Sequence, residues 1–213
     1  MVIKMNDKRD IKELSKKEKD SLELFNKTKD KLIKKGYTEH DLTANVVKAN
    51  IYGILLPIPI SIILVILYCI FNRFEFEGIN MIVFLIINMI IATIIHESIH
   101  GITFSLFTKN HLKDIRFGFI VKTLTPYCSC KVPVKKYQYL LGISMPGLTL
   151  GILISIISII LGKQIILYSG LFQLFCAGGD MMIIALILKN KSNKKNQLYL
   201  DHPTEVGVVL FDK

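Results

Sequence analysis

Between Ile51 and Thr108 the chain carries only four charged residues, Arg73, Glu75, Glu77 and Glu97. Residues 1–50, by contrast, carry thirteen Lys/Arg and nine Asp/Glu. A soluble domain spreads its charge along the chain, because every part of it contributes to a wetted surface. This partition excludes such a domain, a disordered chain and a coiled coil. It points to an integral membrane protein whose basic parts lie in water. The net charge of +10 on a 51% apolar chain then reads as topology, not as a nucleic-acid surface.

Four apolar runs cover 51–71, 81–107, 140–161 and 165–188. Each is long enough to cross a ~30 Å hydrocarbon core at ~1.5 Å per residue. Pro57 and Pro59 should kink or break the first run. Basic residues cluster in 1–50, in 109–136 with seven Lys/Arg against one Asp, and in 189–195 with four Lys. The two other loops hold two basic residues between them. Four spans with both termini inside put every basic segment on one side, the positive-inside pattern. The expected location is a bacterial cytoplasmic membrane with both termini cytosolic. The first run lies behind a charged segment too long for a signal peptide. Trp is absent, so an interfacial aromatic belt must come from Tyr and Phe.

The expected fold is an all-α integral membrane protein of about four transmembrane helices. Three regions follow: a basic, largely helical cytosolic segment over 1–48, a transmembrane domain over 49–190 and a cytosolic tail over 191–213. In the first, Leu14, Leu22, Leu24, Phe25, Leu32 and Ile33 form a partial helical stripe that Gly36 should end. Segment 109–139 is too polar to span. Phe117, Phe119, Val121, Val132 and Val134 alternate around Pro126, which suggests a short β-hairpin or re-entrant segment between the second and third spans. Residues 206–211 read as a short strand. Cys69 and Cys176 sit in apolar runs and are expected to be buried thiols.

The second run ends in His96-Glu97-Ser98-Ile99-His100. On a helix, i and i+4 share a face, so both imidazoles can hold one metal ion while Glu97 reaches a bound water as general base. Zn²⁺ suits two imidazoles and a carboxylate, with a fourth position left for water. Ionisable groups are costly in an apolar span, so three together need a reason. The remaining acid in the spans is Asp180. His96 lies about 16 residues into its span from the outside and Asp180 about 15, or ~24 Å and ~22 Å deep. The groups therefore reach one depth, near the cytosolic face. Asp180 is either the third ligand or a carboxylate that orients one of the imidazoles.

Gly101 and Gly178-Gly179 should permit close helix packing. Asn88 shares the helix face of His96 and either orients a ligand or joins helices. His111 and His40 read as ordinary solvated histidines, and His202 as structural or as a cap on the site. Cys128-Ser129-Cys130 lacks the paired spacing of a zinc knuckle. It is structural, an extra metal contact or a redox pair, and Tyr127 and Lys131 beside it have no assigned role.

Taken together, His96 to Gly101, Cys128-Ser129-Cys130 with Pro133, Gly178-Gly179-Asp180 and Asp201-His202-Pro203 resemble a family of zincin peptidases of membranes, catalogued as a domain of unknown function. More distantly, they are similar to site-2 proteases. The resemblance covers roughly residues 45–213. It implies Zn²⁺ held by His96, His100 and Asp180, with Glu97 as base. The expected activity is hydrolysis of peptide bonds in membrane-associated proteins, membrane-spanning ones included. The expected partners are the lipid bilayer and a protein or peptide substrate. A metal-stabilised scaffold and a divalent-metal carrier are the competing classes. An open coordination position separates an enzyme from the scaffold, and a carrier would need polar residues along a complete path, of which the first and third spans offer few.

Overall fold

The computed structural model describes residues 15–74, 80–120 and 125–213. Helix α1 covers Lys16–Lys34 and opens with a capping box, in which Ser15 and Glu18 bond each other's backbone amides. Each of these bonds satisfies a donor that the helix end leaves free. Gly36 follows at φ +83°, the left-handed conformation that ends the helix. Phe25 and Leu32 of the expected stripe are buried, whereas Leu24 and Ile33 point outward. Leu14 lies outside the described residues.

Helix α2, Val46–Leu55, is separated by Leu56 alone from Pro57, which begins helix α3, Pro57–Phe71. Proline has no amide to lose at a first helical position, so the expected break falls there. Together 46–71 form one apolar unit of membrane length. Helix α4, Asn80–Ser105, provides a second over 83–105. Helix α5 (Lys136–Pro146), a π-helical stretch (Gly147–Leu153) and helix α6 (Ile154–Leu161) provide a third. The expected fourth span is not one straight helix. Helices α7, Gln164–Cys176, and α8, Gly178–Lys189, meet at a 46° bend. Three helical units are thus long and apolar enough to cross a membrane, and four if the bent pair crosses as one. Cys69 is exposed on α3 and Cys176 half-buried. The expectation of buried thiols failed because an apolar helix of this kind turns much of its surface outward.

The all-helical expectation is corrected by a four-stranded antiparallel sheet in the order β1-β6-β5-β4. Its strands are β1 (Thr38–Ala44), β4 (Val134–Lys135), β5 (Gln197–Asp201) and β6 (Val206–Asp212). Strand β6 falls where 206–211 predicted one. Strand β1, Thr-Glu-His-Asp-Leu-Thr-Ala, has almost no apolar alternation to betray it. One face of the sheet packs Leu200, Val209 and Phe211 against Phe25 and Leu32 of α1. The other packs Tyr199, Val208 and Leu210 against Phe104 on α4, Tyr139 and Ile143 on α5 and Ile187 on α8. The sheet therefore closes one end of the helices. The expected hairpin is present beside it as β2 (Ile115–Ile120) and β3 (Thr125–Cys130). Val121 lies outside the described residues.

Candidate metal centre

The site lies where α4 meets the junction of α7 and α8, beside that hairpin. His96 and His100 stand one turn apart on α4, 4% and 5% exposed, with ring centroids 4.9 Å apart. Asp180 enters from the first turn of α8. Its Oδ2 lies 3.2 Å from Nε2 of His96 and 3.3 Å from Nε2 of His100. The three ligand atoms all lie within 4.8 Å of one another.

The other ring nitrogens decide the chemistry. Nδ1 of His100 is 2.9 Å from the Gly142 carbonyl, which can only accept, so this nitrogen carries the proton. Nδ1 of His96 is 3.3 Å from Oε1 of Gln173 and donates in the same way. In neutral imidazoles both Nε2 atoms are then bare lone pairs, and they point at a carboxylate oxygen. Three acceptors facing one another suit a cation between them, a metal ion or a proton. Tetrahedral ligands ~2.0–2.1 Å from Zn²⁺ stand about 3.3 Å apart. The two measured His–Asp separations match that edge. The residues present therefore fit a divalent ion.

Glu97 points to the neighbouring face of α4 and is half-buried. The backbone amide of Cys128 on β3 donates to its carboxylate, and both imidazoles lie within its electrostatic reach. The hairpin can lie so close because Gly101 has no side chain. A Cβ there would come within 2.2 Å of the Phe117 ring on β2. Gly101 thus permits close packing as expected, but its partner is a strand instead of a helix. Gly178 does serve helix packing: a Cβ would sit 1.8 Å from the carbonyl oxygen of Gly53 on α2. Gly179 would meet nothing within 4 Å.

A second carboxylate anchors the hairpin. Asp201, at the end of β5, accepts a bond from the Cys130 amide at 2.7 Å and another from the Tyr139 hydroxyl. Burial raises its pKa although both bonds oppose the rise. Along β3, then, the amides of Cys128 and Cys130 are both taken by carboxylates, and Pro126 has no amide. That edge offers no donors at these positions to an added strand. Burial also drives the Cys128 thiol far above its ordinary range and the Cys130 thiol to about 12. All four cysteines are free. Cys130 is buried and Cys128 half-buried, and neither belongs to the group formed by His96, His100 and Asp180.

The remaining candidates lie elsewhere. His111 is exposed and donates to the Ser105 carbonyl at 3.1 Å. The ring of His202 packs on Phe25, and its Nδ1 accepts the Glu205 amide at 2.9 Å. His40 pairs with Asp212 at 3.1 Å. Tyr127 lies across Gly118, Lys131 bonds the Lys113 carbonyl, and Asn88 is half-buried further along α4. Sequence reasoning missed Gln173 and Gly142. Gln173 had a signal, since it is a polar residue seven positions before Asp180 in an apolar run. A backbone carbonyl such as that of Gly142 has none.

A family described as "Putative zincin peptidase" matches residues 89–195, about half of the chain. The match spans His96, His100, Gly142, Gln173 and Asp180, together with the hairpin. Comparison with curated proteins and with solved structures returns no match.

Proposed function

The chain belongs to this family of putative zincin peptidases, and on that premise we propose that it is an integral-membrane zinc metallopeptidase acting on membrane-associated proteins near the cytosolic face. The observation that carries the proposal is the convergence of two imidazole lone pairs and one carboxylate oxygen at 3.2–3.3 Å in a buried site. His96, His100 and Asp180 would hold Zn²⁺, which supplies Lewis acidity and a water acidified towards pKa ~7. Gln173 and Gly142 fix the tautomers that turn both Nε2 atoms inward. Glu97 takes a proton from the attacking water and passes it to the leaving amine. The Cys128 amide holds that carboxylate beside the ligands, and the hairpin shields the site from bulk water. The clustering of basic residues at the ends of the helical units supports a cytosolic position for this end of the bundle.

A Glu97→Gln variant of the purified chain should keep stoichiometric zinc and lose peptide hydrolysis. His96→Ala should lose the zinc. Equal cleavage by wild type and Glu97→Gln would refute the mechanism, and full zinc retention by His96→Ala would refute the ligand set.

A further inference from the structure

Away from the metal centre, the end of the bundle that carries the sheet holds a cavity of about 420 Å³. Lys135, Lys136, Lys194 and Lys195 line it, with Tyr37 and Tyr137. Its size falls in the ~300–1,000 Å³ range of small-ligand sites. Lys194 is neutralised, because it lies 2.9 Å from Asp212. Among the described residues no carboxylate lies within 4.0 Å of the side chains of Lys135, Lys136 or Lys195. Three ammonium groups with no carboxylate partner among the described residues therefore line one recess, and their summed field attracts an anion.

The position narrows the anion. Lys136 is the first residue of the apolar helical unit 136–161, and α8 ends at Lys189, just before Lys194 and Lys195. The cavity thus lies where α5 begins and α8 ends, at the polar margins of their apolar runs. Tyr137 is 61% exposed beside it and meets Phe107 edge-on at 6.3 Å, as aromatic rings do at head-group level. The first-turn amides of α5 add positive potential from the same side. We propose that this cavity binds the phosphate-bearing head group of an anionic phospholipid. Lys135, Lys136 and Lys195 surround the phosphate, and the acyl chains run down the apolar surface of α5. Head-group occupancy would fix the height of α5 in the bilayer. It would also hold the connection from α8 to β5 against the start of α5.

The inference rests on residues 136–161 crossing the bilayer. Release of the chain from membranes by alkaline extraction would overturn that premise, and the inference with it. For the inference itself, the detergent-solubilised full chain is titrated with phosphatidylglycerol, phosphatidylcholine, soluble glycerol phosphate or a poly-glutamate peptide, and thermal unfolding is followed. Phosphatidylglycerol should raise the midpoint, and the other three should not. Lys135→Gln/Lys136→Gln/Lys195→Gln should need about tenfold more phosphatidylglycerol for the same shift. The corresponding triple Arg variant should behave as wild type, which separates lost charge from misfolding. Native mass spectrometry should show phosphatidylglycerol retained by wild type and lost from the Gln variant. Equal shifts with phosphatidylcholine, or an unaltered response of the Gln variant, would overturn the assignment. Stabilisation by glycerol phosphate or poly-glutamate equal to that by phosphatidylglycerol would overturn the lipid as ligand. None of these residues touches the metal centre, so a failure here leaves the peptidase proposal standing.

Discussion

Replacing Gln173 by Leu should weaken zinc binding without weakening the metal-free fold. Gln173 is 2% exposed, its Oε1 receives the Nδ1–H of His96 at 3.3 Å, and its Nε2 has no partner among the described residues. Outer-shell partners of metal-bound imidazoles are worth ~10–100-fold in affinity, or ~1.4–2.7 kcal/mol. A separation of 3.3 Å lies just beyond the usual ~2.7–3.2 Å range, which places the loss at the lower end, about tenfold. Folding pulls the other way. An unsatisfied buried amide costs ~1–3 kcal/mol, and Leu, of similar volume, removes it. Thermal unfolding in excess chelator should therefore show Gln173→Leu at or above the wild-type midpoint. Zinc competition against a chromogenic chelator should show it about tenfold weaker. Gln173→Glu keeps the acceptor and should retain affinity. Wild-type affinity in Gln173→Leu, or an equal loss in Gln173→Glu, would refute the assigned role in holding the tautomer.

Gly178→Ala sets a Cβ against the Gly53 carbonyl, where only backbone can yield, so a loss of at least ~1–3 kcal/mol is expected in thermal unfolding; Gly179→Ala, facing open space, should be near neutral. Burial opposes ionisation of Asp212, but bonds from Ser192, Lys194 and His40 prevail and hold its pKa at about 2. A lowered carboxylate pKa stabilises the fold fully above the unfolded value, near 4, and that contribution disappears as pH falls through about 2. Denaturant unfolding between pH 5 and 2 should show this acid-side loss in wild type, and Asp212→Asn should flatten it. Tyr139→Phe removes one of the two donors to Asp201 and should cost ~1–3 kcal/mol in thermal unfolding. It should also lower hydrolysis while zinc content, measured by atomic absorption, stays unchanged.

The legible parts of this chain were those that depend on local chemistry. Apolar length marked the helical units, Pro57 marked a break and Gly36 a stop. The i, i+4 histidines and the intramembrane acid pointed to residues that the fold does bring together. Depth counting from charge topology placed Asp180 near the imidazoles without any contact information. The hidden parts depend on pairing between distant segments. Strand β1 is polar and short, and β4 has two residues, so neither shows a period of its own. Their partners lie far along the chain. The bend at Ala177 was equally hidden, since Gly178 is explained by the Gly53 carbonyl on another helix. Gly101 signalled a close approach, but nothing in its surroundings told a strand from a helix.

The sheet also dictates an order of assembly. Strand β6 is an inner strand, flanked by β1 and β5, and it pairs Ala44 with Val206 across roughly 160 residues of chain. During synthesis β1 leaves the ribosome before β6 and waits without its partner while every apolar helix is made. The imidazoles and Asp180 are all available before residue 206 exists. Closure of the sheet therefore follows synthesis of every helix described above. A chain truncated before β6 would lose the middle of the sheet, leaving β1 and β5 with open edges ready to recruit other strands. Truncation before Val206 should accordingly appear as aggregation.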